Sequence, residues 1–200
     1  QADGGALVAL GKSEAARQGV PYAALMPVLG SLLQFVLGCP EQEFAAWRDR
    51  IGEATAMVSR TLAGFVPALA TILGTQPGAP EAPEASPALE RERVLVAMAR
   101  LIGCFATPAR PLVMVLDDLQ WADVGSLQVL ERLLRDHTDA AILVIGAYRP
   151  MEIDADHPLN RPGLADAATA LRLDLGPLDE GALRNWMSRV VHQDASLLDG

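Results

Sequence analysis

The residues Asp117 and Asp118 close an apolar run and open a second motif: Pro111 to Asp123 reads PLVMVLDDLQWAD. An unbroken apolar run is the mark of a strand buried on both faces, as in a parallel sheet. Ligands of such sheets gather at the carboxyl ends of the strands, where Asp117 and Asp118 stand. Adjacent carboxylates repel, and one is pushed toward protonation unless a cation is near. Mg²⁺ suits the place, because it takes one or two carboxylates together with water and phosphate oxygens. Successive strand side chains point opposite ways, so one acid can face a metal and the other a reactant water. The plainer alternative is a solvated turn in which Asp118 caps the next segment. A second apolar run, Ala141 to Ala147, ends in Tyr148-Arg149 and delivers a permanent cation to the end of another strand.

The elements that must position these groups follow from periodicity. Between the two runs, Asp123 caps a helix with Val124, Leu127, Leu130 and Leu134 on one face. Strand, helix, strand makes a βαβ unit with parallel strands and a right-handed crossover. Upstream, Gly5 to Leu10 reads as a short strand and Gly11 to Pro21 as a loop. Helical spacing then runs from Tyr22 to Val36, through Phe44, Trp47, Ile51 and Val58, and from Leu62 to Leu73. Pro77, Gly78, Pro80, Pro83 and Pro87 make the stretch from Thr75 to Pro87 a surface linker. Leu89 to Phe105 is again helical, Pro150 to Asp166 is an irregular loop, Leu171 to Leu175 a short strand, and Asp179 caps a last helix.

Composition bounds the rest. The 200 residues are one domain, or one domain and a fragment of a second. Half are hydrophobic but only 4% aromatic, so the core is Leu, Val and Ala. The net charge of −9, with no Lys/Arg cluster, argues against direct nucleic-acid binding by this segment. There is neither a membrane-spanning run of about 20 apolar residues nor a signal-peptide pattern, which makes the cytoplasm the default location. Cys39 and Cys104 sit in apolar helical stretches as reduced core thiols. Asp154, Asp156 and His157 belong to a solvated loop; with one histidine they make a poor metal site. The start at Gln1 and the end at Asp199-Gly200 read as cuts within a longer protein.

The string PLVMVLDDLQWAD resembles the Walker B region of the STAND ATPases, signal-transduction relatives of the AAA+ proteins. More narrowly it is similar to the ATPase module of bacterial multidomain serine/threonine kinases, hybrid histidine kinases and LuxR-type regulators. The likeness continues through Ile145-Gly146-Ala147-Tyr148-Arg149, His157-Pro158-Leu159 and Leu175-Gly176-Pro177-Leu178, and upstream through Gly11-Lys12 and Val20 to Leu25. It implies an α/β fold: a P-loop NTPase-like parallel sheet flanked by helices. Residues 1–175 would be a partial ATPase core, with a helical insertion at about 22–74 and the Pro-rich linker at 75–87; residues 176–200 would start a helical lid. By the same resemblance Asp117 holds Mg²⁺ through water, Asp118 orients or polarises the attacking water, Arg149 contacts the γ-phosphate of ATP, and Pro177 packs near the adenine. Trp121 is either a packing residue or a ligand contact.

Gly11-Lys12-Ser13 is not the phosphate-binding loop. That loop needs a glycine five residues before the second glycine, and Ala6 stands there. In the resembling module such a Gly-Lys follows the second strand, which puts the first strand and the Walker A loop upstream of Gln1. The isolated chain should therefore bind ATP poorly and hydrolyse none, with ATPase activity residing in the full-length protein. The implied function is a nucleotide-dependent switch using ATP and Mg²⁺, partnered by the protein's own kinase, sensor or regulatory domains. The alternative is a catalytically inactive scaffold for protein contacts. Neither an HRD-type catalytic loop nor a DFG motif is present, so any kinase domain lies elsewhere.

Overall fold

A computed structural model describes residues 5–56, 58–75, 86–160, 164 and 170–191. The chain forms two compact units, Gln1–Ala168 and Thr169–Gly200. In the first, β1 (Leu7–Lys12), β2 (Leu112–Asp117) and β3 (Ile142–Gly146) form a parallel sheet in the order β1-β2-β3. The register pairs Lys12 with Asp117 and Leu116 with Gly146, so all the strands end at one edge. This is the α/β parallel-sheet architecture of the P-loop NTPase kind.

Helices α1 (Met26–Leu37), α2 (Glu41–Thr55), α3 (Ser59–Phe65) and α4 (Pro67–Leu73) follow β1; α5 (Pro87–Gly103) leads into β2, and α6 (Val124–Asp136) joins β2 to β3. The second unit contributes α7 (Glu180–Val191). The core gathers Leu25, Leu29 and Leu33 around α1 with Met98 and Leu101 of α5, Leu112 and Met114 of β2, and Leu130 and Leu133 of α6. Trp47 stacks on Phe105 with ring centroids 4.9 Å apart, joining α2 to the end of α5.

Several boundaries differ from the periodic reading. The helix expected over Leu62–Leu73 is two helices, because a residue before proline is driven out of the α region and Val66, before Pro67, sits at φ −129°, ψ 89°. The helix expected from Tyr22 starts at Met26, since Tyr22 takes the left-handed conformation at φ 61°. Pro87, read as the end of the linker, instead opens α5 behind Ser86, whose hydroxyl accepts from the Leu89 N–H at 3.4 Å. The rest of the linker, Pro77 to Pro83, lies outside the described residues. Leu171 to Leu175 is exposed and forms no strand.

The sheet also departs from burial on both faces. Leu112, Met114 and Leu116 are buried, but across the other face Val8, Leu10, Leu143 and Ile145 are exposed, beside half-buried Val113 and Val115. Strands laid down in chain order, joined by crossovers of one hand, carry their helices on a single side. A continuous apolar run therefore marks a parallel strand here without both of its faces being covered.

Gly11 lets the segment before α1 close over β1. A Cβ there would lie 2.7 Å from Leu116 Cδ2 and 2.8 Å from the Ala24 carbonyl oxygen. Because backbone cannot step aside as a side chain can, Gly11→Ala is expected to destabilise the chain by about 1–3 kcal/mol, read from the urea midpoint. Both cysteines are free thiols. Burial pushes the Cys104 thiol up to about 12, from 9.0. Only the thiolate is nucleophilic, so at pH 8 Cys104 should react with iodoacetamide about 10³-fold more slowly than an ordinary thiol, a gap that vanishes in denaturant.

Candidate functional site

β2 ends at Asp117, whose exposed carboxylate accepts the Asp118 N–H at 2.9 Å through Oδ1. Asp118 then turns out of the strand in the left-handed conformation, φ 54°, ψ 42°. Aspartate tolerates that region better than most residues. The strand pleat ends at Asp117 and does not extend to Asp118. Asp118 is mostly covered, its side chain 19% exposed.

The cations come from the neighbouring strand ends. Lys12 Nζ, at the last residue of β1, lies 3.5 Å from Asp118 Oδ2, and Arg149 Nε, just beyond β3, lies 3.9 Å from Asp118 Oδ1. Arg149 also donates from Nη1 to Glu152 Oε1 at 3.0 Å. The Glu152 hydrogen bond and charge, with the Asp118 charge behind them, push the Arg149 guanidinium above its ordinary value. Arg149 and Lys12 are both exposed at the site, so these pairs contribute little to stability; they set where charge stands. Gly11 and Lys12 end a strand and Ser13 leads into a short turn at Ala15–Arg17, with no long helix behind it until Met26. That is the geometry of a strand end, not of a loop that wraps phosphate. Beside it a shallow cleft is lined by Lys12, Ser13, Arg17 and Trp121.

The LQWAD string acts as a connector. Leu119 N–H donates to the Ala147 carbonyl at 2.9 Å. Its side chain lies against Gly146, where a Cβ would stand 2.6 Å from Leu119 Cδ1. Gln120 is 1% exposed and spends its whole amide internally. Nε2 donates to Asp118 Oδ1 at 3.1 Å and to Glu152 Oε2 at 3.2 Å, and Oε1 accepts the Arg149 N–H at 3.2 Å. The Gln120 carbonyl accepts from His157 Nε2 at 3.0 Å, and Leu159 N–H donates to His157 Nδ1 at 3.1 Å, which fixes the His157 tautomer. His157 thus serves to hold the loop in place.

Asp123 does more than cap α6. Its Oδ1 accepts from Ser126 N–H at 2.9 Å and, across the fold, from Tyr22 N–H at 2.8 Å; Oδ2 accepts from Ser126 Oγ at 2.5 Å. This is what holds Tyr22 in its left-handed conformation. In the second unit Asp179 Oδ1 accepts from Ala182 N–H at 2.7 Å and caps α7, as its position in the sequence implied; Pro177 lies exposed just before it.

Of the residues singled out in the sequence, the structure brings Asp117, Asp118 and Arg149 to one edge. It adds Lys12, Gln120 and Glu152, for which the sequence carried little signal beyond position: Lys12 and Arg149 each follow an apolar run. Residues 1–145 match the AAA ATPase domain family. The chain belongs to that family. The AAA ATPase domain chain is also 26% identical, over 117 residues, to hybrid signal transduction histidine kinase G of Dictyostelium discoideum. The match covers 58% of this chain and 3% of that protein. No solved structure matches the chain. Among the described residues, no helix of this AAA ATPase domain chain is long and apolar enough to cross a membrane.

Removing the Asp123 carboxylate loses the α6 cap, about 0.5–2 kcal/mol, and leaves the Tyr22 N–H buried without a partner, about 1–3 kcal/mol. Asp123→Ala should therefore cost about 1.5–5 kcal/mol in chemical denaturation, with Asp123→Asn recovering part of the loss.

Proposed function

We propose that the chain supplies the metal-and-water side of an ATP-hydrolysing STAND-type module in a multidomain signalling protein, and that the module acts as a nucleotide-dependent switch. The observation that carries this is the convergence of Asp117, Asp118, Lys12 and Arg149 on the carboxyl edge of one parallel sheet, within a chain of the AAA ATPase domain family. Asp117, exposed and last in β2, would hold Mg²⁺ through water. Asp118, fixed by its neighbours, would orient the attacking water. Arg149 would leave Glu152 for the γ-phosphate, since its planar fork matches phosphate oxygens. Pro177, in the second unit, would pack against the adenine. The Gly11-Lys12-Ser13 sequence lacks the glycine five residues ahead that a phosphate-binding loop requires, so another segment of the protein would supply the phosphate cradle.

Such a switch works by contacts that exist only while the γ-phosphate is present. Its partners would be the protein's own kinase, sensor or regulatory domains, in the cytoplasm of a bacterium. In the full-length protein, Asp118→Asn should abolish hydrolysis, by about 10²-fold or more in kcat, while sparing ATP binding. Arg149→Ala should lower kcat by on the order of 10³. Unchanged turnover in both would overturn the assignment and leave a catalytically silent scaffold as the reading. The 200-residue chain alone should show no micromolar affinity for Mg·ATP in isothermal titration.

A further inference from the structure

Gln120 has the properties of a group placed for a purpose. It is an uncharged polar side chain, almost wholly buried, set between two carboxylates at the edge of the sheet. A side-chain amide offers two N–H donors and a carbonyl acceptor. Here one donor goes to Asp118, the other to Glu152, and the acceptor takes the backbone N–H of Arg149. Turned over, the amide would set its oxygen against two carboxylates and its nitrogen against an N–H. Arg149 closes the ring by donating to Glu152 and lying beside Asp118.

We propose that Gln120 is a positioning residue: its amide fixes the spacing of Asp118 and Arg149 by bridging Asp118 to Glu152 and holding the Arg149 backbone. The catalytic part of this rests on the ATPase reading above; the bridging itself does not. Glutamine is the side chain that fits. Glutamate has the same shape but adds a third carboxylate with no hydrogen to give, and like charges in contact force one carboxyl to keep its proton. Asparagine has the amide on a shorter stem. Leucine has the bulk and leaves two carboxylates without their donor.

Two experiments separate the bridge from its consequence. In the ¹⁵N-labelled chain, the Gln120 side-chain amide protons should be resolved and should exchange more slowly than those of exposed Gln18, Gln34 and Gln128. An averaged, freely exchanging amide overturns the proposal without reference to ATP. In the full-length protein, Gln120→Leu and Gln120→Glu should lower kcat at pH 8 by at least about tenfold, with ATP affinity changed by less than about threefold, since an interaction made in the transition state is lost and ground-state binding is kept. The Gln120→Glu deficit should shrink as the pH falls toward 6, when a retained proton restores one donor, whereas the Gln120→Leu deficit should not. Parallel pH profiles for the two variants, or wild-type kcat in either, overturn the positioning role. Gln120→Asn, with an intact near-ultraviolet circular dichroism spectrum, should show an intermediate loss and covers the case in which the larger changes unfold the protein. If the wild-type protein hydrolyses no ATP, the ATPase reading falls, and the amide measurement alone decides whether the bridge exists.

Discussion

Parallel pairing of β2 with both its neighbours is the constraint from which the site follows. Parallel strands bring all their carboxyl ends to one edge, so whatever residue ends each run meets the others there. Lys12, Asp117 and the segment from Gly146 to Arg149 come from distant parts of the sequence and share that edge because the register allows no other arrangement. A one-residue slip would move every inward side chain of β2 to the other face and put Leu112, Met114 and Leu116 out of the core. The core side of the sheet thereby fixes the geometry of charges that themselves add little to stability.

What the edge does chemically depends on how β2 is terminated. Asp118 leaves the strand by a left-handed turn, an uncommon conformation for a residue with a side chain. The turn is held by Leu119 against Gly146, by the Gln120 amide, and by the reach of Asp123 to Tyr22. The residues of the connector divide the work among them. Leu119 packs, Gln120 bridges, and Asp123 caps one helix while fixing the approach to another. Strain of this kind persists only where the surroundings over-determine it, and the two non-glycine residues of positive φ among the described residues, Tyr22 and Asp118, are tied to side chains of the same short segment.

Much of this was legible in the sequence. The two apolar runs around a capped helix announced a βαβ unit, and the acids at the end of one run marked the strand edge where Lys12 and Arg149 also stand, because burial patterns and caps are local signals. Three things were not. The break at Val66 was hidden because the apolar spacing continues through Pro67; the steric rule for residues before proline decides it, not periodicity. The exposed face of the sheet was hidden because a run of Val, Leu and Ile reports strand pairing and does not report which faces the helices cover. Lys12, Gln120 and Glu152 were hidden because a polar residue's partner lies across the fold, and one sequence carries no trace of that partner. Leu171 to Leu175 erred the other way: alternating Leu and charge looks like a strand, but a strand is a relation to another strand.

The one-sided sheet has a consequence for how the chain behaves in solution. Val8, Leu10, Val113, Val115, Leu143 and Ile145 line up in register across the bare side. Apolar area left in water forfeits about 25 cal/mol per Å² of the stabilisation that burial would give. The surrounding −9 charge keeps molecules apart by mutual repulsion, and added salt shortens the range of that repulsion to about 3 Å at 1 M. Colloidal behaviour is therefore a contest between a short-range greasy surface and a long-range electrostatic shield, and ionic strength decides which of the two a neighbouring molecule encounters first.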